Sequence, residues 1–502
     1  MKWNLSWPPT AVLALATGLA QIGWLFPAQA QGGDACQLSP AERSQKSVLL
    51  QAALQGDATA RQTYESLIAQ QGDRLAQCRR QSALTIQATW LRLYPCDSKA
   101  GMVDALLDEI VNRGYNQVYV DVFSNGLVLL PAANNPTAWS SLLSSPRVEQ
   151  VDLLAQVIQK GQQRGLKVYA WMVSLNFGQT YINSAIGQPT LARNGEGETT
   201  ATAATKASLV PGRDLTSINE SFIDPYNPQA KSDYQRLLQA ILQRRPDGVL
   251  FDYIRYPKGL GPASIASKVK DLWIYGDASL AALNRRALNQ KGQELLRRYL
   301  AQGYVSRGDI SAVDQQFPTE KEPQWQTTSP DQSLAAVWNK PVAERLPALQ
   351  TALWNLVVDH AIQGPVTFLS EMSALVQQQG IRAGAVFFPE GNQAIGKGFD
   401  SRLQGWPQFP ASLEWHPMAY ATCGNTSCIA AQIEKVINQA PGGTAIVPAI
   451  TGQWGQATAE RPALEQQMQI LPALSRPVQA VSHFAFNWQD PQWERDRKFC
   501  RL

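Results

Sequence analysis

Short apolar runs and amphipathic segments alternate along the chain from about residue 84 to residue 490. Residues 117–123 are rich in β-branched and aromatic side chains, which is typical of a buried strand. In residues 151–164 the apolar side chains recur at helical spacing and fall on one face. The sequence therefore predicts helices between eight strands, which lie at 85–93, 117–123, 167–175, 248–256, 381–388, 413–420, 445–451 and 480–487.

Eight successive strand–helix units indicate the α/β class and a parallel (β/α)8 TIM barrel over residues 84–490. The strands are apolar almost throughout, as expected when helices cover them. A doubly wound open sheet is the alternative. No G-x-G-x-x-G motif follows the first strand, which counts against a dinucleotide-binding domain.

Other segments are predicted to lie outside the regular strand–helix repeat. The apolar pattern at 343–379 predicts a helix in two pieces, broken at Gly364 and Pro365, because proline disrupts a helix interior. The remaining segments are a helical extension at 31–83, a helical insertion after strand four at about 260–340 and a C-terminal tail at 491–502.

The first thirty residues have the features of a cleavable signal peptide. Lys2 gives a positive start, residues 11–26 carry no charge, and residues 28–30 read Ala-Gln-Ala, a small-residue cleavage site. An uncleaved anchor is the alternative, but the apolar stretch is shorter than the roughly 20 residues that span a bilayer. We therefore predict a signal peptide at 1–30, no transmembrane segment in the mature protein, and a periplasmic or secreted location.

All six cysteines follow the predicted signal peptide. An even number of cysteines in an exported chain favours disulfides. A zinc site is the alternative, but the spacings fit no zinc pattern and the chain has only three histidines. Cys423 and Cys428 flank a short polar loop and are predicted to pair with each other. The other cysteines are Cys36, Cys78, Cys96 and Cys500.

The composition narrows the choice of ligand. The net charge is +4 over 502 residues, without a long run of Lys or Arg, so nucleic acid is not indicated as a partner. Fifteen tryptophans are a high number, and exposed indole faces are surfaces on which sugar rings stack. The sequence has no metal-ligand cluster, phosphate loop or nucleophile elbow, so no cofactor and no metal are predicted.

In a TIM barrel the active site lies where the strands end. The predicted strand ends collect carboxylates for proton transfer, amide and imidazole groups for hydroxyls, and aromatic rings for sugar faces. A polysaccharide or oligosaccharide is therefore the predicted ligand. The candidate sugar-binding residues are Asp121, Trp171, Arg255, Tyr256, Glu414, His416, Tyr420, Trp454, Asn487 and Trp488.

Asp252 is the strongest candidate for a catalytic residue, because it is an acid within an apolar strand. A buried carboxylate is costly unless it is paired, and Arg255 is the predicted partner that keeps Asp252 ionised as a nucleophile. The alternative is a structural Asp–Arg pair at the rim of the barrel.

Glu390, which follows the next strand, is the predicted acid/base. Glycosidic cleavage uses two carboxyl groups, and we expect Asp252 and Glu390 roughly 5–6 Å apart if the configuration is retained. A solvated loop glutamate is the alternative for Glu390. Asp121 or Glu414 would be the next candidate.

Five segments together resemble the glycosyl-hydrolase-like family ten, a group of exported bacterial TIM-barrel proteins. They lie at 112–120, 164–171, 222–228, 247–257 (Asp-Gly-Val-Leu-Phe-Asp-Tyr-Ile-Arg-Tyr-Pro) and 415–420. The resemblance implies hydrolysis of O-glycosidic bonds, with Asp252 in the key position and Glu390 as the candidate proton donor. Two positions depart from the family pattern, since Tyr253 stands where a second acid is common and Tyr169 where a histidine is common.

Three hypotheses follow from the sequence. The first is an exported retaining glycosidase that acts on an envelope or extracellular polysaccharide, with Trp171, Trp454 and Trp488 as stacking platforms. The second is a non-catalytic sugar-binding barrel of the cell envelope. The third is a structural envelope protein whose barrel carries the helical extension.

Overall fold

The computed structural model describes residues 36–184, 187–203, 220–326 and 334–502 of the chain. The predicted signal peptide at 1–30 lies outside the described residues. Within them, no helix is both long and apolar enough to cross a membrane.

Thirteen strands are described, and eight of them form a parallel barrel. In space the barrel strands follow the order β11, β8, β6, β5, β2, β1, β13 and β12. Parallel bridges from Trp415 to Ile446 and from Met418 to Ala449 join the two ends of this order. In chain order the strands are β1 (Ile86–Leu91), β2 (Gln117–Ser124), β3 (Leu127–Pro131), β4 (Ser140–Leu143), β5 (Lys167–Val173), β6 (Gly248–Asp252), β7 (Ile265–Ala266), β8 (Arg382–Phe387), β9 (Ala394–Ile395), β10 (Gly398–Asp400), β11 (Glu414–Pro417), β12 (Ala449–Thr451) and β13 (Ala480–Phe484).

Amphipathic helices cover the barrel and bury their apolar faces against the strands. The described α-helices are α1 (Pro40–Leu54), α2 (Ala58–Gln81), α3 (Met102–Asn112), α4 (Leu153–Gln163), α5 (Gly178–Ile182), α6 (Pro228–Leu242), α7 (Asp277–Asn284), α8 (Gln290–Gln302), α9 (Arg307–Gln316), α10 (Ala335–Trp338), α11 (Val342–Gln377), α12 (Ser427–Gln439), α13 (Leu464–Gln469) and α14 (Pro491–Lys498).

The predicted TIM barrel is confirmed, and each barrel strand lies within a predicted strand or extends it by one residue. Strand β12 is shorter than the predicted segment 445–451, because Pro448 has no N–H to continue the ladder. The antiparallel pairing of β3 with β2 was not predicted. The predicted domain limits at residues 83 and 490 stay a prediction.

The predicted break in the helix at 343–379 is wrong, since α11 is one continuous helix that includes Pro365. Its first half contributes residues such as Leu353 to a core within the insertion, and its second half contributes Phe368 to the barrel core. At Gly364, an added Cβ would lie 2.6 Å from Cγ of Pro225, so the helix passes very close to the loop before α6. Packing on both halves outweighs the cost of about 3 kcal/mol that an internal proline carries.

The six cysteines form three disulfides. Cys423–Cys428 confirms the predicted local pair. Cys36–Cys78 joins the start of the helical extension to α2, and Cys96–Cys500 joins the turn after β1 to the C-terminal tail.

The tail is also held by a buried ion pair. Arg497 of α14 donates to both carboxylate oxygens of Asp97, at 2.9 and 2.8 Å, and both side chains are almost fully inaccessible. Arg497→Leu is expected to lower the free energy of unfolding by about 3–5 kcal/mol, because Asp97 would remain buried without its ion-pair partner. Denaturant unfolding with the disulfides intact measures this. Arg297→Leu, which breaks an exposed pair with Glu294, should cost less than about 1 kcal/mol. Equal losses in the two variants would contradict the argument.

Candidate active site

Asp252 is the last residue of β6, and two N–H donors hold its carboxylate. The indole Nε1 of Trp171 donates to Oδ2 at 3.1 Å, and the backbone N of Tyr253 donates to Oδ1 at 2.7 Å. Asp252 is only 6% exposed. Both oxygens are therefore oriented at the carboxyl ends of the strands, where TIM-barrel active sites lie.

The backbone turns sharply after Asp252. Tyr253 has a φ of 54°, in the left-handed region that non-glycine residues seldom adopt. Such a conformation costs on the order of 1–3 kcal/mol, and strained residues of this kind concentrate at active sites. The turn brings the Tyr253 N–H back onto the Asp252 carboxylate and ends β6 earlier than predicted.

Burial and the neighbouring groups shift the pKa of Asp252 in opposite directions. Burial raises the pKa of Asp252, while the Tyr253 N–H and the charge of Arg255 lower it. The charge of Asp121 raises the pKa of Asp252 further.

Arg255 was predicted to pair directly with Asp252. Its guanidinium instead donates to the backbone carbonyl of Tyr256 at 3.0 Å and lies 4.2 Å from the ring centre of Tyr253. Its charge therefore acts on the Asp252 carboxylate through space.

A cavity of about 470 Å³ lies beside Asp252, and we call it the mouth cavity. Trp171 and Tyr253, the two residues that hold the Asp252 carboxylate, form part of its wall. The whole lining consists of Arg92, Ser124, Asn125, Trp171, Val173, Asn176, Glu220, Tyr253, Arg255, Lys258 and Leu260.

Glu220 is the carboxyl group in the wall of the mouth cavity. Burial raises the pKa of Glu220, and the charge of Arg255 opposes this rise. The charge of Arg255 also lowers the pKa of Asp252, so one guanidinium lies close to both acids. A carboxyl group that is held toward its protonated form at a cavity wall suits proton donation.

Asp121 lies on β2, beside the same cavity. Its Oδ2 accepts hydrogen bonds from Arg92 Nε at 3.2 Å and from Ser124 Oγ at 2.8 Å. Burial raises the pKa of Asp121, and Arg92 opposes the rise. The guanidinium of Arg92 also lies 5.4 Å from the ring centre of Trp171. Asp121 therefore positions Arg92 over the aromatic wall.

Glu390 has its contacts on another side of the barrel mouth. Its carboxylate accepts a hydrogen bond from Gln432 of α12, and its charge raises the pKa of Lys435 on the same helix, against the larger effect of burial. Glu390 is not among the residues that line the mouth cavity. The predicted spacing between Asp252 and Glu390 stays a prediction.

Tyr420 lies close to Asp252. Burial and then the charge of Asp252 raise the pKa of its phenol. Its ring packs against Phe484, whose ring centre is 6.1 Å from that of Trp171. Trp171 and Tyr420 thus surround the Asp252 carboxylate with aromatic side chains.

Glu414 lies at the opposite end of the barrel, so its predicted place in the sugar site is wrong. It is the first residue of β11 and pairs at 3.3 Å with Arg382, the first residue of β8. The phenol of Tyr169 donates to Glu414 at 3.2 Å. The first residues of parallel strands lie at the end away from the active site.

The predicted places of His416 and Tyr256 in the sugar site are also wrong, because both side chains are fully buried. His416 fills the barrel interior against Tyr119, in space left by Gly384, where an added Cβ would lie 2.9 Å from its Nε2. Tyr256 belongs to the core of the helical insertion. Neither side chain reaches the mouth cavity.

The last three candidates follow β12 and β13. Asn487 is half-buried in the turn Phe486–Trp488. Trp454 and Trp488 line a different groove, which shares no lining residue with the mouth cavity.

Sequence reasoning missed Glu220, Arg92 and Asn176. Glu220 follows a long polar stretch of sequence and has no periodic pattern around it. Asn176 directly follows the predicted strand 167–175, so its position was a usable signal. Its Oδ1 accepts the backbone N–H of Ser221 at 2.8 Å, which anchors the segment that carries Glu220.

Comparison with known proteins gives a family match that includes Asp252 and its neighbours. Residues 81–272 match the model of the family described as glycosyl hydrolase-like 10, which confirms the predicted resemblance over this segment. The matched segment contains Asp121, Trp171, Glu220 and Asp252 and ends before Glu390. None of the curated proteins compared with the chain matches it.

The solved structures with a similar fold are distant from this chain in sequence. An inactive mutant of the GH20 exo β-N-acetylglucosaminidase from Vibrio harveyi is 10% identical, with a TM-score of 0.42. The match covers 84% of this chain and 53% of that protein, so the chain spans about half its length. The β-N-acetylhexosaminidase from Bacteroides fragilis is 8% identical over 81% of this chain and 61% of that one, with a TM-score of 0.40. A GH18 chitinase from Pseudoalteromonas aurantia is 8% identical over 81% and 97%, with a TM-score of 0.34.

Proposed function

We propose that the protein is an exported glycoside hydrolase that cleaves O-glycosidic bonds of an envelope or extracellular polysaccharide at the mouth cavity. The observation that carries this proposal is the Asp252 carboxylate, which N–H donors orient through both oxygens beside a cavity with an aromatic wall. The match of residues 81–272 to a glycosyl hydrolase-like family supports the reaction class.

In the proposed reaction, Asp252 acts as the ionised carboxylate that faces the anomeric carbon. A second carboxyl group donates its proton to the glycosidic oxygen as the bond from that oxygen to the anomeric carbon breaks. Water then supplies a hydroxyl group to the anomeric carbon, and its other proton restores the acid. Trp171 and Tyr420 are proposed to contact the sugar ring.

The proton donor is either Glu390, as the sequence predicts, or Glu220. The contacts favour Glu220, because it lines the mouth cavity and because the charge of Arg255 acts on the pKa of both Glu220 and Asp252. Glu390 is engaged with Gln432 of α12.

A panel of soluble polysaccharides, incubated with the purified protein and with Asp252→Asn, tests the function. New reducing ends from the wild type alone would support it. Retention of a polysaccharide by both proteins, with no cleavage by either, would favour a non-catalytic carbohydrate-binding barrel.

The pH dependence of kcat/KM should reflect two carboxyl groups whose pKa values are raised. Asp252 must be ionised, so activity should fall as the pH drops through its raised pKa. Glu220 must be protonated, so activity should fall again as the pH rises through its raised pKa. The optimum should therefore lie above the ordinary carboxyl pKa values of about 3.9–4.3. In Glu220→Gln the alkaline limb should disappear, and an unchanged alkaline limb would remove Glu220 from the role of acid.

Export is part of the proposal. The predicted signal peptide at 1–30 supports it, and so do the three disulfides, which persist in oxidising compartments. The mass of the mature protein, measured after secretion, would give the cleavage site.

A further inference from the structure

A groove of about 740 Å³ lies apart from the mouth cavity. It is formed where the turn after β12, helix α13 and the turn after β13 meet the segment before α1. We call it the glutamine groove, because its lining includes Gln37, Gln453, Gln456, Gln466, Gln469 and Gln489.

Two tryptophans give the glutamine groove its flat surfaces. The indole N–H of Trp454 donates to the phenol oxygen of Tyr115 at 3.1 Å, and its ring lies edge-on to His483, so the ring is fixed. Trp488 is 38% exposed, and its ring contacts Phe484 at 6.5 Å between ring centres. An exposed indole with a supported edge is a rigid platform for another ring.

Gln37 accepts a hydrogen bond from Arg43 at 3.5 Å, and the other five glutamine side chains fall into two sets. Gln453 donates to the carbonyl oxygen of Trp488, and Gln489 donates to that of Gly452, so these amides hold the two turns together. The amides of the other set make no hydrogen bond to any residue that the structure describes, and each offers two N–H donors and a carbonyl acceptor to a ligand. This second set is Gln456, Gln466 and Gln469.

Hydrogen bonds within the protein engage the charged groups of the groove. Arg43 donates to the carbonyl oxygens of Leu38 and Asn112, Arg113 donates to Glu109 at 2.6 Å, and Glu465 accepts the backbone N–H of Gly455 at 3.1 Å. The surface left for a ligand is therefore mainly neutral, with amides and indole faces.

We propose that the glutamine groove binds a stretch of neutral glycan. Sugar hydroxyls both donate and accept hydrogen bonds, as the three unpaired amides do, and the C–H faces of pyranose rings pack on indoles. The ring of Phe484 lies between Trp488 and Trp171, with ring-centre distances of 6.5 and 6.1 Å, so the groove and the mouth cavity are linked by aromatic side chains. The inference rests on the proposed function for its polymeric ligand and assigns the groove to a part of the polymer away from the cleaved bond.

Affinity electrophoresis in gels that contain glycol chitin or hydroxyethyl cellulose tests the groove separately from catalysis. All variants are made in the Asp252→Asn protein. Trp488→Ala is expected to weaken retardation about tenfold or more, and Gln466→Ala with Gln469→Ala should also weaken it. Trp488→Tyr should retain binding, because it keeps an aromatic face. The matched control is Gln302→Ala with Tyr304→Ala, an exposed amide and an exposed ring at the end of α8.

Unchanged retardation of the Trp488→Ala protein, or no retardation of the parent protein by either polymer, would overturn the inference. A loss of binding that Trp488→Ala shares with the control would overturn it too. If the wild-type protein cleaves nothing while Trp488→Ala still abolishes polymer binding, the proposed hydrolase function fails and the groove stands. In an active protein, Trp488→Ala should lower cleavage of the polymer more than cleavage of short oligosaccharides.

Discussion

Asp252→Asn is expected to lower kcat/KM for glycoside cleavage by about a thousandfold or more, with little change in the fold. The amide has the same shape, and its single oxygen can keep one of the two hydrogen bonds that Trp171 and Tyr253 donate to separate oxygens of the carboxylate. It lacks the negative charge that stabilises the oxocarbenium-like transition state. The binding of glycan to the variant should be close to that of the wild type.

Asp247→Asn is the matched control for this variant. Asp247 precedes the same strand at its other end, where it accepts hydrogen bonds from Lys167 and from the backbone N of Val168, both at 2.9 Å. Its loss should leave kcat/KM within about a factor of three, since it lies away from the mouth cavity. Equal losses in the two variants would show that Asp252 has only a structural role.

Glu220→Gln is expected to reduce cleavage of a natural glycosidic bond about a hundredfold or more, whereas Glu390→Gln should reduce it less than about tenfold. We expect the larger loss for Glu220→Gln because Glu220 lines the mouth cavity, whereas Glu390 contacts Gln432 on α12. A sugar leaving group needs a proton as the bond breaks, so the variant that lacks the acid loses most activity on that substrate.

An aryl glycoside with an acidic phenol distinguishes an acid from a residue that merely shapes the cavity. Such a leaving group departs without a proton, so Glu220→Gln should recover most of its kcat/KM on this substrate. Recovery in Glu390→Gln in place of Glu220→Gln would restore the pair predicted from the sequence. Equal losses of Glu220→Gln on both substrates would exclude it as the proton donor.

Much of the barrel was predictable because its strands are local apolar runs. Segments such as 117–123 and 167–173 carry their own signal, because helices bury one face of each strand and the barrel interior buries the other. The continuity of α11 through Pro365 was not predictable, because it depends on contacts with two cores that are distant in sequence. The ends of the strands were the least certain feature, and the site depends on them.

The correct strand position of Asp252 and the wrong strand position of Glu414 have the same origin. Both are acids in apolar segments, but Asp252 ends β6 and Glu414 begins β11, so they lie at opposite ends of the barrel. A shift of a few residues in a strand boundary decides between these positions. Glu220 was missed because a long-range hydrogen bond from Ser221 to Asn176 anchors its segment, and the residues before Glu220 show no periodic pattern in the sequence.

The central claim is hydrolysis of a glycosidic bond, and cleavage in water enriched in oxygen-18 tests it most directly. The wild-type protein is incubated with a polysaccharide that it cleaves, and the products are examined at once by mass spectrometry. The mechanism predicts one oxygen-18 atom at the anomeric carbon of each new reducing end and none at the other new end. Products with an unlabelled or unsaturated end, or the absence of cleavage on every polysaccharide of the panel, would contradict it.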